Sequence, residues 1–147
     1  MKTRGFELLS NVSDTDLLPI RTTEGAAGYD LKAAKTITIN PNEMAMVPTG
    51  VKAYMQSGEV VKLYDRSSNY KKLGLILINS VGIIDKDYYN NPDNEGHIMA
   101  QMKNVTDKPV TIPYGYRFVQ ALFETYLIAD NDNASGKRKG GFGSTNK

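Results

Sequence analysis

The amino-acid sequence predicts an all-β fold of the sandwich, jelly-roll or small-barrel type. Short runs that suit β-strands alternate with turn residues at nearly even spacing along most of the 147 residues. No segment carries the apolar periodicity of a long amphipathic helix. The length fits one domain with a real core, and the apolar content of 40% is ordinary for a globular protein.

Ten strands are predicted, each bounded by residues that favour turns. The turn signals include Pro-Thr-Gly at 48–50 and Pro-Tyr-Gly at 113–115. One short helix is expected at 68–73, with Ser67 or Ser68 as its N-cap and Gly74 at its end. The strands are expected at 6–9, 27–32, 36–39, 45–47, 51–55, 59–64, 75–78, 97–103, 110–112 and 117–126.

Two polar segments interrupt this pattern of strands and turns. Residues 89–95 are rich in Asn, Pro and acidic side chains, so we expect an exposed loop there. Residues 129–136 are also polar and are expected to form a linker. The chain is therefore divided into a β body at 1–128 and a flexible linker with a glycine-rich arm at 129–147.

The arm carries one aromatic ring close to positive charge and hydroxyl groups. Phe142 lies in a Gly-Gly-Phe-Gly run, after three basic residues at 137–139 and before Ser144 and Thr145. Ordering about eight such residues costs roughly 1–2 kcal/mol each in backbone entropy. A ligand with an aromatic face and negative charge, such as a nucleotide, is expected to offset that cost. The alternative is a disordered end without a function.

Composition and charge exclude several classes of function. The chain has no cysteine, so a disulfide framework, a thiol nucleophile and a cysteine-ligated metal are excluded. The net charge of +2 is too small for direct nucleic-acid binding through whole-surface charge. The longest apolar stretch, 73–84, is too short to span a membrane, and the start of the chain does not resemble a secretory signal. We therefore expect a cytoplasmic protein with no membrane partner.

His97 is the single histidine, and it lies inside a predicted strand. Metal sites that need two histidines are therefore excluded. A Ser-His-Asp triad would depend on this one residue, and its place in the sequence gives no support for a catalytic base.

A candidate anion-binding site lies at the start of the expected helix. Arg66 provides a guanidinium, Ser67 and Ser68 provide hydroxyls, and a helix start offers free N–H groups. Taken alone, an ordinary N-cap beside a surface salt bridge explains the same residues, since caps are common.

A second candidate site lies at 79–88. Asp85 ends an apolar stretch, so its carboxylate is expected at the edge of the core, where partial desolvation raises its basicity. Such an Asp can take a proton from water during attack on phosphorus. Tyr88 can offer a ring to a sugar, and Asn79 can offer an amide donor and acceptor to a base. The alternative is a hairpin with solvated carboxylates and one amphipathic tyrosine.

Two further polar residues follow or interrupt apolar runs. Asp30 can hold a hydrated Mg²⁺, which binds through few carboxylates plus phosphates, or it is a solvated carboxylate at a strand end. Strand alternation places Gln120 on the same side as Phe118, so Gln120 needs a polar partner. An ordered water and a cross-strand hydrogen bond both meet that need.

Five segments together resemble the motifs of the trimeric dUTP pyrophosphatases (dUTPases). Each motif alone is weak evidence, but all five occur in the order of the family and at compatible spacings. The resemblance spans nearly the whole chain and is carried by residues 26–31, 65–68, 79–88, 115–123 and 140–145.

The resemblance implies a jelly-roll-like β-barrel protomer with a mobile C-terminal arm, assembled into a homotrimer whose subunits share each active site. It also implies hydrolysis of dUTP to dUMP and pyrophosphate by attack of water on the α-phosphorus, with Mg²⁺ on the triphosphate. This reaction limits uracil in DNA and supplies dUMP.

The resemblance further implies a role for each matched residue. Asp85 would activate the attacking water, and Gln120 would help to orient it. Tyr88 would pack on the deoxyribose and leave no room for a 2′-hydroxyl, while Asp30 would act on Mg²⁺ through water. The expected substrate-binding residues are Arg66, Ser67 and Ser68 for phosphate, Asn79, Gly82, Ile83 and Ile84 for uracil, Met99 on the next strand, Phe142 stacked on uracil beside Gly143, and Ser144 and Thr145 on the γ-phosphate.

Three positions depart from the family pattern. The family usually has Arg-Gly two residues before the Gly-Gly pair of the arm, where this chain has Lys137 and Arg138. Either of these side chains is a candidate phosphate clamp, and Asn146 replaces the usual closing glycine. The glycine that usually follows the tyrosine is displaced to Gly96, which leaves 89–95 as an insertion of about six residues. This insertion is a candidate lid or partner-binding surface.

Two alternative functions share the same fold. A dCTP deaminase would recognise cytosine and would need a catalytic Glu where this chain has Asp85. A phage-type dUTPase would act also as a regulatory module, with 89–95 docking a protein partner.

Overall fold

Antiparallel strands form most of the molecule, as a computed structural model that describes residues 2–143 shows. The one α-helix among those residues is α1 (Ser67–Leu73), and two single turns of 3₁₀-helix lie at Thr15–Leu17 and Lys86–Tyr88. The strands are β1 (Gly5–Leu8), β2 (Tyr29–Lys32), β3 (Ile37–Ile39), β4 (Met44–Pro48), β5 (Val51–Tyr54), β6 (Glu59–Asp65), β7 (Leu75–Leu77), β8 (Val81–Ile84), β9 (Met99–Asn104), β10 (Val110–Ile112) and β11 (Arg117–Thr125).

The strands pair into four antiparallel sheets around one core. A four-stranded sheet has the order β2-β11-β6-β8, a three-stranded sheet has the order β4-β9-β7, and β1-β5 and β3-β10 form two ribbons. Neighbours in these sheets are mostly distant in sequence, as a jelly roll requires. The predicted all-β, jelly-roll-like fold is confirmed.

The core consists of large apolar side chains that point into the interior of the molecule. Phe118, Leu31, Leu75, Ile98 and Met102 are fully buried. Each such side chain contributes roughly 1.5–3 kcal/mol by leaving water. This packed interior fixes the positions of the strands that carry or adjoin the polar candidate residues.

Local details differ from the prediction at three elements. β8 is a separate strand that the continuous apolar run 73–84 concealed. β9 begins at Met99, so His97 precedes the strand instead of lying inside it. Arg66, not Ser67 or Ser68, occupies the N-cap position of α1 and makes no capping hydrogen bond with its side chain. Gly74 ends the helix in a left-handed conformation, as expected.

A bulge in β11 overturns the predicted alternation. The pairing with β2 shifts between Arg117 and Val119, so Phe118 and Val119 are both buried. Beyond the bulge, Gln120 lies opposite Asp30 on one side and Tyr64 on the other. Gln120 is therefore half-buried beside Asp30 and Tyr64. It does not share a side of the strand with Phe118 in the way that regular alternation predicts.

Candidate active site

A cavity of about 200 Å³ lies between β8 and β9 and is covered by the C-terminal arm of the same chain. Many of the predicted substrate-binding residues line this cavity, and they come from three separate parts of the sequence. Those lining it are Asn79, Gly82, Ile83, Ile84, Asp85, Tyr88, Met99, Arg138 and Phe142.

A tight β7–β8 turn forms one wall of the cavity. Ser80 has a left-handed backbone with φ of 64°, and the N–H of Val81 donates to the carbonyl of Asn79 at 2.7 Å. Gly82 pairs with Leu63 of β6, and a Cβ at Gly82 would lie 3.1 Å from the Leu63 Cβ. The missing side chain therefore leaves the backbone of β8 close to the floor of the cavity, where a flat base can meet its polar groups.

Asp85 lies at the mouth of the cavity, directly after β8. Its side chain is half exposed, at 50%, and is not the desolvated edge-of-core carboxylate that the sequence predicts. Nη2 of Arg138 donates to its Oδ2 at 2.6 Å, and Nε of Arg138 donates to Oδ1 of Asp87 at 2.7 Å. The guanidinium is only 17% exposed, so one arm residue pairs with two carboxylates at this edge and offsets one of their two negative charges.

Tyr88 forms the inner end of the cavity and is buried. Its hydroxyl donates to the carbonyl of His97 at 2.6 Å and accepts from Nδ2 of Asn94 at 2.9 Å. Burial raises the pKa of the Tyr88 phenol, and the Asn94 hydrogen bond opposes that rise. The ring is thus a neutral, fixed surface.

The arm covers the cavity with its glycine-rich residues. A Cβ at Gly141 would lie 2.5 Å from Cε1 of Tyr88, so only glycine allows this close approach. Phe142 has a left-handed backbone, is 56% exposed and lines the opening of the cavity. Lys137 is exposed and is not among the lining residues, whereas Arg138 is. Gly143 is exposed, and the predicted γ-phosphate residues Ser144 and Thr145 lie outside the described residues.

A second, open groove gathers the other predicted polar residues at the ends of β2, β6 and β11. Asp30, Arg66, Ser67 and Gln120 line it, while Ser68 does not. The Asp30 carboxylate is flanked by Nε of Arg66 at 3.5 Å and Nη1 of Arg117 at 3.4 Å. Two guanidinium groups therefore flank one carboxylate, and a guanidinium is a side chain that can bind phosphate.

Gln120 has a protein partner, so no water is needed to satisfy its donor. Its Nε2 donates to the carbonyl of Asp65 at 3.1 Å. Gly28 makes room for it, because a Cβ at that position would lie 2.5 Å from Oε1 of Gln120. The Oε1 atom borders the groove and is available to a water near a bound phosphate.

Asp65 and Asn69 hold the groove together and were not assigned a role from the sequence. The Asp65 carboxylate accepts from the N–H groups of Arg66 and Leu77, each at 2.9 Å. Nδ2 of Asn69 donates to Asp65 and to the carbonyl of Phe118. The signal was present, since Asp65 directly precedes Arg66, but only the fold brings β7 and β11 to it.

The cavity and the groove have no lining residue in common. The carboxylate predicted to activate water is in the cavity, while the Arg66, Ser67 and Gln120 groups are in the groove. Within this chain the structure does not bring all the predicted catalytic residues together.

The charges around Asp30 decide which kind of metal site this carboxylate can form. In residues 2–143, no three His, Asp or Glu side chains gather into a metal-binding cluster. Asp30 is already flanked by two arginines, and Mg²⁺ commonly keeps several waters and binds through few carboxylates plus phosphates. The residues therefore fit a metal that arrives on the phosphates of a substrate better than one held by the chain alone.

The insertion 89–95 is less exposed than the loop that the sequence predicts. Only Asn90, Pro92 and Asp93 are exposed, whereas Asn91 is buried. Its Asp93 carboxylate lies against Gly140, where a Cβ would come within 3.0 Å of Oδ2. The insertion thus touches both the covering arm and, through Asn94, the tyrosine of the cavity.

Neither the described helix nor the 3₁₀ turns could cross a membrane, since none is long and apolar enough.

His97 is also explained by the structure without a catalytic role. Its Nε2 accepts from the backbone N–H of Gly50 at 2.9 Å, and burial lowers its pKa. The ring is a neutral hydrogen-bond acceptor for the backbone of Gly50.

Comparison with known proteins gives one consistent family. The dUTPase family model matches residues 16–146. A deoxyuridine 5′-triphosphate nucleotidohydrolase of Lactococcus lactis is 56% identical over 99% of both chains, and one of Actinobacillus pleuropneumoniae is 36% identical over 88% of this chain and 87% of its own.

Solved structures agree in fold. The crystal structure of a dUTPase from Streptococcus mutans has 59% identity and a TM-score of 0.85, covering 86% of this chain and 99% of its own. A dUTPase from phage phi11 of Staphylococcus aureus has a TM-score of 0.74 at 21% identity, over 92% of this chain and 97% of its own, which supports the fold alone. The family model and the relatives at 36–59% identity show that the chain belongs to the dUTPase family.

Proposed function

We propose that this chain hydrolyses dUTP to dUMP and pyrophosphate by attack of water on the α-phosphorus. The observation that carries this is a half-exposed carboxylate, Asp85, at the mouth of a cavity of nucleoside size that has a tyrosine at its inner end. The family membership and the names of the relatives support the same substrate. The cytoplasm, where nucleotides are made, is the proposed location.

The cavity residues are proposed to bind the deoxyuridine. The backbone from Gly82 to Ile84 and the amide of Asn79 pair with the polar edge of uracil, so cytosine leaves buried polar groups unpaired at about 1–3 kcal/mol. Met99 contacts the nucleoside from β9, and the Tyr88 ring packs on the deoxyribose. Phe142 stacks on uracil when the arm closes, worth about 1–3 kcal/mol.

Asp85 is proposed to take the proton from the attacking water. Its carboxylate currently accepts from Arg138, and a bound triphosphate is a stronger partner for that guanidinium. Transfer of Arg138 to phosphate frees Asp85 as a base and clamps the substrate at once. The position of Arg138 favours it over Lys137 as the phosphate clamp.

The groove residues are proposed to bind the phosphates. Arg66 and Ser67, which line the groove, contact the phosphate chain, and Gln120 orients the water. Ser68, the next residue in the chain, is proposed to contribute to the same phosphate contact although it does not line the groove. Asp30 would hold a triphosphate-bound Mg²⁺ through water, and the ion would supply neutralisation of the phosphate charge. Ser144 and Thr145 are proposed to complete the γ-phosphate site.

Since the cavity and the groove are separate on one chain, we propose that they meet between chains. A homotrimer, in which the cavity of one subunit faces the groove of another, brings Asp85 to the phosphates and Gln120. In this assembly the body at 1–128 builds the trimer, and the arm at 129–147 closes over the bound nucleotide.

Isotopically labelled water tests the position of attack. Attack on the α-phosphorus places the heavy oxygen in dUMP, which mass spectrometry of the separated products detects. Label in the pyrophosphate, or release of inorganic phosphate in its place, would contradict the proposal. The dCTP deaminase alternative predicts ammonia from dCTP, and Asp85 in the position of the required Glu disfavours it.

A further inference from the structure

The hydroxyl of Tyr88 is held from two sides, by two parts of the chain. The carbonyl of His97, which lies just before β9, accepts from it at 2.6 Å. On the other side, Nδ2 of Asn94 donates to it at 2.9 Å. A ring that is fixed only at Cβ can swing, whereas two hydrogen bonds at its far end fix its tilt.

Asn94 belongs to the insertion 89–95, and its amide is itself fixed by its neighbours. Its Oδ1 accepts from Nδ2 of Asn91 at 2.8 Å and from the N–H of Gly96 at 3.1 Å. Asn91 is buried and also donates to the carbonyl of Tyr88 at 2.7 Å. With Oδ1 occupied by two donors, the amino group of Asn94 is oriented at the tyrosine.

The far end of the insertion is anchored to the body. Nζ of Lys52, on β5, donates to Glu95 at 2.7 Å and to Oδ1 of Asn90 at 2.6 Å. Glu95 also accepts from the N–H of Ser10 at 2.9 Å. The Lys52 side chain is only 10% exposed, so its charge is shielded from water. Water therefore does not readily replace Glu95 as the partner of this charge. Asn94 is therefore presented to Tyr88 from a fixed support.

We propose that Asn94 is a positioning residue for sugar selection, which fixes the Tyr88 ring where it excludes a 2′-hydroxyl. This inference rests on the proposed deoxynucleotide specificity of the cavity. With Asn94 in this role, the insertion belongs to the same active site and increases the selectivity for deoxyribose over ribose. A ring that is free to tilt away from the sugar leaves room for the extra hydroxyl.

Replacement Asn94→Asp removes the donor and keeps the turn. The carboxylate still accepts from Asn91 and Gly96, but it leaves the Tyr88 hydroxyl with one proton and two acceptors. One of the two contacts that fix the ring is lost. Pro92→Ala is the matched control, because Pro92 is exposed in the same insertion and does not touch Tyr88 through a hydrogen bond.

Calorimetry of the full chain with dUDP and UDP measures sugar selection without any chemical step. We expect the ratio of the two affinities to fall about tenfold in Asn94→Asp, mainly because UDP binds better, and to stay unchanged in Pro92→Ala. In a Tyr88→Phe background, Asn94→Asp is expected to have no further effect on the ratio.

An equal loss of affinity for dUDP and UDP, with the ratio unchanged, would overturn the inference, since it would indicate a merely structural role. A full effect that persists in the Tyr88→Phe background would overturn it as well. A chain that selects dUDP in the expected way but releases no pyrophosphate from dUTP would contradict the proposed hydrolysis and leave this inference supported.

Discussion

Arg138 is the residue whose position most changes the chemistry expected at Asp85. The sequence places Lys137 and Arg138 equally well for a phosphate clamp. In the structure the guanidinium of Arg138 pairs with Asp85 and Asp87 at the cavity, while the Lys137 side chain is exposed. The pairing also holds the half-exposed Asp85 carboxylate at the mouth of the cavity without burial.

Paired replacements separate these two basic residues. Arg138→Ala is expected to lower kcat/KM for dUTP by about tenfold to a hundredfold, because a charge-assisted, bidentate contact with phosphate is worth more than an ordinary hydrogen bond. Lys137→Ala removes the same charge from an exposed position and is expected to have an effect of less than about threefold. Steady-state kinetics of both variants checks this, and equal losses would assign the clamp to neither residue.

His97 makes stability depend on pH in a defined direction. Burial lowers its pKa in the folded chain, and Glu95 only partly opposes this. Below the ordinary value of 6.5 the unfolded chain takes up a proton that the folded chain resists, so stability is lost as the pH falls from there. Above that pH this contribution is fully present.

Thermal unfolding checks this dependence. The loss in Tm between about pH 7.5 and pH 5.5 is expected to be larger in the wild type than in His97→Gln, whose amide oxygen can accept from Gly50 without titrating. Equal pH slopes in the two proteins would show that His97 does not carry the effect.

At the scale of elements, the β pattern was predictable because strand and turn residues alternate so regularly. β8 was missed because β7, its turn and β8 form one apolar run, and the turn uses Ser80 instead of a glycine. The bulge in β11 depends on pairing with β2, which is distant in sequence. Local patterns cannot show either feature.

The insertion 89–95 was misjudged for a related reason. Its asparagines predict exposure by composition, but Asn91 and Asn94 satisfy backbone groups and each other, which turns a polar loop into a small ordered unit. The candidate site residues come from the resemblance of five segments to the motifs of the family, and their roles stay predictions. Their division into a cavity and a groove required the fold.

The arm depends on glycine at its contact with Tyr88. Gly141→Ala puts a Cβ 2.5 Å from a ring that two hydrogen bonds hold in place, so the arm cannot take this position. We expect kcat/KM for dUTP to fall by about tenfold or more, with Tm unchanged, because the body does not need the arm. Gly136→Ala is the control, since its Cβ would meet nothing within 4 Å. Normal kinetics for Gly141→Ala would disprove the closed arm.

At the scale of the whole molecule, the separation of the cavity from the groove makes subunit sharing testable. Asp85→Asn removes the base from the cavity, and Arg66→Ala removes a phosphate ligand from the groove. Each variant alone is expected to be nearly inactive. If every site combines the cavity of one chain with the groove of another, an equal mixture assembled together is expected to recover about a quarter of wild-type activity.

Mixing is checked by native mass spectrometry, and activity by pyrophosphate release. Mixed trimers that stay as inactive as their parents would show that both half-sites come from the same chain. A monomeric wild type with full activity would exclude sharing altogether.

Selective hydrolysis of dUTP is best checked by pyrophosphate release from dUTP, UTP, dCTP and dTTP with Mg²⁺. We expect rapid release from dUTP alone. In the proposed site, the Asn79 and β8 surface would reject cytosine, the tight cavity would reject the methyl group of thymine, and Tyr88 would reject ribose. Comparable release from all four nucleotides, or ammonia from dCTP without pyrophosphate from dUTP, would contradict it.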